Sequence, residues 1–92
     1  MGQRIEVAAE AHGEIAVFST DRTITGQDGA TFSRGGPFEG FGGAVAERLF
    51  QDPAVTNVFV QFNVATVQRS GGWDDGSLGR ASEQISGFFL VY

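Results

Sequence analysis

Apolar positions along this chain follow two different periods, and the change of period divides it into elements. From Arg4 to Ala9, Ile5, Val7 and Ala9 alternate with Glu6 and Ala8; from Glu14 to Thr20, Ile15 and Val17 alternate with Ala16 and Phe18. A period of two predicts strands, and His12-Gly13 between them predicts a hairpin. Thr23-Ile24-Thr25 is β-branched and reads as strand. Gly26-Gln27-Asp28-Gly29 is a turn by composition, and Ala30–Ser33 is a further short strand carrying Phe32. The period then changes. Phe41, Val45 and Leu49 recur at helical spacing, with Ala46 and Phe50 widening the stripe, which predicts a helix over Gly43–Gln51. Asp52-Pro53 ends it, because the residue before a proline is pushed out of helical angles.

A second hairpin follows, with strands at Val58–Val60 and Val64–Val67 around Gln61-Phe62-Asn63. Neither strand alternates cleanly, which leaves two readings: both faces covered, or one face a contact surface. After Ser70-Gly71-Gly72, one of Asp74, Asp75 and Ser77 caps a last helix, whose apolar positions are Leu78, Ala81, Ile85 and Phe88 or Phe89. The expected architecture is a two-layer α+β domain over residues 1–92, in the order β-β-β-α-β-β-α, with both helices on one sheet face.

Composition narrows the chemistry. The chain carries six arginines, no lysine and a net charge of −5, and the arginines are scattered rather than striped, which argues against nucleic acid. It has no cysteine, so disulfides, thiolate metal sites and cysteine nucleophiles are excluded within it. The opening MGQRIEVAAE lacks a signal-type apolar core and no run reaches membrane-spanning length, so the expected location is the cytoplasm, without membrane contact.

Candidate sites are few. His12, the single histidine, could act with Glu10 or Glu14, but lacks a second nitrogen ligand and is expected to be a solvated loop residue. Gly40-Phe41-Gly42-Gly43 before a helix could present N–H groups to an anion, although no phosphate-loop pattern surrounds it. Asp74-Asp75 is better explained as a helix cap than as a cation site. The serines lack a G-x-S-x-G context, so no enzyme activity, metal or cofactor is expected. Aromatics are more numerous than a small core comfortably encloses, and Phe62 sits at a hairpin tip with little to pack on. Phe62, Asn63, Phe38 and Phe41 are therefore the candidate partner surface.

The string AERLFQDPAVTNVFVQFNVATVQRSGGWDD resembles the N-terminal domain of Nfu/NifU-type iron–sulfur cluster scaffold proteins. Ala46, Arg48, Leu49 and Phe50 match the family's helix, Val55, Val58 and Phe59 its approach to the hairpin. Thr66, Val67, Trp73 and Asp74 match the following strand and helix start. Three places depart from the pattern: Ala9–Gly13 replaces a Thr-Pro-Asn-Pro segment, Asn63 stands where an acid is usual, and Gly76 where an apolar residue is. In that family a Cys-x-x-Cys pair in a separate C-terminal domain holds the cluster. The resemblance therefore implies a divergent, stand-alone accessory module, binding protein partners from iron–sulfur assembly without ligating a cluster. The alternative is a small-ligand or anion-binding module using the Gly35–Gly43 loop.

Overall fold

The computed structural model describes residues 7–21 and 29–90. Seven elements occur in the expected order: β1 (Val7–His12), β2 (Ile15–Thr20), β3 (Ala30–Ser33), α1 (Gly40–Leu49), β4 (Val55–Gln61), β5 (Val64–Arg69) and α2 (Asp75–Leu90). The strands form one antiparallel sheet ordered β1-β2-β5-β4-β3. α2 lies over β1, α1 over β3 and β4, and the helices touch each other. The strand expected at Thr23–Thr25 and the turn residues Gly26, Gln27 and Asp28 lie outside the described residues, as do Ile5 and Tyr92.

Alternation along each strand explains why both helices share one side. Phe18, Phe32, Val58, Val60, Ala65 and Val67 are buried and meet Val45, Ala46, Leu49 and Phe50 of α1 and its C-cap, and Ala81 and Ile85 of α2. Their strand neighbours point the other way. The register places Glu10, Val17, Thr66, Phe59 and Thr31 in one row across all five strands of the opposite face. Among the described residues no element covers that face. The reading with both faces of the hairpin covered therefore finds no second covering layer among the described residues.

β1 runs on past the expected end at Ala9 to His12, which pairs with Ile15 and so lies in the strand rather than in a loop. Two further boundaries moved for physical reasons. α1 begins at Gly40, three residues before the expected start, although glycines weaken a helix by up to about 1 kcal/mol each. Packing sustains that turn. A Cβ on Gly43 would lie 2.5 Å from the Phe38 carbonyl carbon, so the preceding loop folds directly onto the helix at a place where only glycine fits. β4 begins at Val55 rather than Val58, and a register shift between Val55 and Asn57 breaks the alternation that would have revealed it.

The start of α2 follows expectation. The Ser77 N–H donates to Asp74 Oδ1 at 2.7 Å, and the Asp74 N–H donates to Ser77 Oγ at 2.9 Å, a reciprocal cap that satisfies two otherwise orphaned donors. The seam between β2 and β5 is held at both ends. At one, the Thr20 N–H donates to Asn63 O at 2.9 Å; at the other, the Arg69 N–H and the Trp73 indole N–H both donate to Glu14 O, at 2.8 and 2.9 Å.

Candidate functional site

Gln61 pairs with Val64, so Phe62 and Asn63 are the two central residues of the tight turn joining β4 to β5. Phe62 has φ 56°, the only non-glycine residue with positive φ among those described, and remains 45% exposed. Two-residue hairpins favour glycine, asparagine or aspartate at such a position, because a Cβ there crowds the following carbonyl by roughly 1–2 kcal/mol. An aromatic ring is thus held in solvent by a backbone conformation that disfavours it. Strain of this kind points to function when it coincides with exposure.

The other residues of the expected surface lie in different surroundings. Asn63 is half-buried and tied to β2: its Nδ2 donates to Thr20 O at 2.7 Å, and its own carbonyl accepts from the Thr20 hydroxyl at 3.2 Å. It positions the tip. Phe38 is half-buried with its ring 5.5 Å from Phe50 and 6.4 Å from Phe32, which makes it the anchor of the glycine-rich loop. That loop follows Ser33, the partner of Asn57 near the start of β4, whereas Phe62 follows the end of that strand. Phe62 and Phe38 therefore sit at opposite ends of the hairpin. Phe41 lies in α1, its side chain outside the described residues, as are those of Phe88 and Phe89.

The opposite end of the hairpin carries a polar hub that the scatter of arginines hid. Arg34 donates to the carbonyls of Phe50, Asp52 and Val55 at 3.2, 2.7 and 2.7 Å and lies over the Phe50 ring, closing the C-terminus of α1. Arg69 donates through Nε to Asp52 Oδ2 at 2.9 Å and through Nη1 to Gly72 O at 2.8 Å, above the Trp73 ring. The Asp52 carboxylate also accepts the Ala54 N–H at 2.9 Å. Burial alone would raise the Asp52 pKa, but the Arg69 and Ala54 hydrogen bonds and the charges of Arg69 and Arg80 bring it below the ordinary value. The Asp74 carboxyl is lowered too, by hydrogen bonds from Ser77.

Beside this hub is a cleft of about 350 Å³ lined by Leu49, Asp52, Val55, Trp73, Arg80 and Ala81. Of its polar groups, Asp52 is committed to Arg69 and Ala54, and Ser77 at its wall to the cap of α2, while Gln51, Arg80 and Gln84 complete the lining. His12 Nε2 lies 3.0 Å from Glu10 Oε1 on the exposed side of β1. Among the described residues no three His, Cys, Asp or Glu side chains gather into a cluster that could hold a metal. Glu39 stands at the N-cap of α1 without a side-chain capping bond, and its negative charge beside the helix start disfavours an approaching anion. No helix among the described residues is long and apolar enough to cross a membrane.

No protein-family model, curated protein or solved structure matches the chain.

Proposed function

We propose that this chain is a non-catalytic interaction module whose contact point is the β4–β5 hairpin tip. The observation that carries the reading is Phe62, an exposed ring at φ 56° on a turn otherwise braced by Asn63 and Thr20. A rigid aromatic on a braced turn gives up little entropy on binding and offers a large apolar contact. The resemblance of the helix–hairpin–helix string supplies the partner class, proteins of iron–sulfur cluster assembly. The anion-binding alternative draws less support, since Glu39 sets a negative charge beside the start of α1 and Phe38 of the loop is packed against Phe50.

The test compares the wild-type chain with Phe62→Gly in titrations against purified cluster-assembly scaffold and delivery proteins. The variant is expected to melt no lower than wild type while binding at least about tenfold more weakly, the loss typical of removing a hot-spot aromatic. Equal binding by both chains would remove the tip from the interface. Failure of the wild type to bind any assembly protein would remove that partner class.

A further inference from the structure

The uncovered face of the sheet has a composition unlike the rest of the molecule. Of eleven acidic and six basic residues in the chain, the register places only Glu10 on this face among the described residues, next to His12 on the outermost strand. The remaining positions are apolar or neutral, and Ile15 and Phe59, exposed by 38% and 37%, both belong here. With five strands about 4.8 Å apart and about six residues long, the face measures on the order of 500 Å² in plan. Two such faces pressed together remove on the order of 1,000 Å² or more from water, where specific interfaces begin.

We propose that a second copy of this chain packs against this face, sheet to sheet, about a two-fold axis running parallel to the strands over β5. This inference is independent of the hairpin-tip reading. Two features favour a second copy over another partner. Each chain carries a charge of −5, so copies repel wherever their acids meet, and this face is where they can approach without that opposition. The row is also self-complementary. β5 is the central strand, and Val17 and Phe59 flank Thr66 on either side of it. The proposed axis lays β2 of one copy over β4 of the other, so that Phe59 meets Val17 twice, the reciprocal contact a two-fold interface demands. The same operation lays Glu10 over Thr31, keeping the acid away from its own copy.

Sedimentation equilibrium of the full chain, from low micromolar to millimolar concentration, tests this directly. A concentration-dependent dimer mass is expected, and a monomer throughout would overturn the proposal without any variant. Phe59→Glu is expected to weaken the dimer about tenfold or more. Thr31→Lys, on an exposed position, is expected to tighten it at low salt by meeting Glu10, and Glu10→Gln in the same chain should remove the gain. A dimer indifferent to both changes would overturn the assignment to this face. Phe62→Gly is expected to leave the dimer unchanged; its loss in that variant would move the interface to the hairpin tip.

Discussion

The two ends of the β4–β5 hairpin are built on opposite principles. At one end Arg34 donates to the carbonyls at the close of α1, the half-buried Arg69 and Asp52 satisfy each other, and the Trp73 indole is tied to the Glu14 carbonyl. At the other, Phe62 is exposed and its backbone unfavourable, while Asn63 beneath it holds the turn in place. Stability is concentrated at the first end, and the second is arranged to present a side chain. The same two strands serve both, because a hairpin stiffened at its base can carry strain at its tip.

Breaking the stable end should have the largest effect. Arg69→Ala removes the partner of a half-buried carboxylate, a bond to Gly72 and the contact over Trp73, and is expected to cost about 2–4 kcal/mol in urea unfolding. Gly43→Ala drives a methyl into the Phe38 main chain and should cost about 1–3 kcal/mol, read as a lower melting temperature. The acid response of the same hub is smaller. Because the Asp52 pKa is lower in the folded chain than in the unfolded one, the unfolded state takes up protons first as pH falls below about 4. Stability contributed by this group is present above that range and drains away as pH drops through the folded pKa, and Asp52→Asn should flatten that part of the pH profile. The smallest effect belongs to the tip. Phe62→Gly relieves the left-handed backbone while gaining chain entropy when unfolded, so its net change should lie between zero and about 1 kcal/mol of added stability. A substantial loss there would show that the ring is structural and erase the contrast.

Much of the fold was legible in the chain. The stripes Val45–Leu49 and Ala81–Ile85 have one period, and their burial needs only a sheet to lie on. The Asp74 cap was legible because capping is local. What could not be read depended on residues far apart in sequence. Asn63 looked like part of a contact surface, but its amide is bound to Thr20, 43 positions away. Arg34 and Arg69 looked scattered, since nothing local links either to Asp52. Phe62 was legible from its place in a turn, whereas Ile15, Val17 and Phe59 became one surface only when the strand order placed β5 between β2 and β4.

The clasps at both ends of the β2–β5 seam bear on how this small protein opens. Residues 15 and 68 are paired across more than half the chain, and a slip of the first hairpin along β5 would have to undo the Thr20–Asn63 and Glu14–Trp73 links together. Partial sliding is thereby closed off as a route. Amide protons of β2 and β5 should exchange at one common rate, set by rupture of the whole sheet rather than by fraying from either edge.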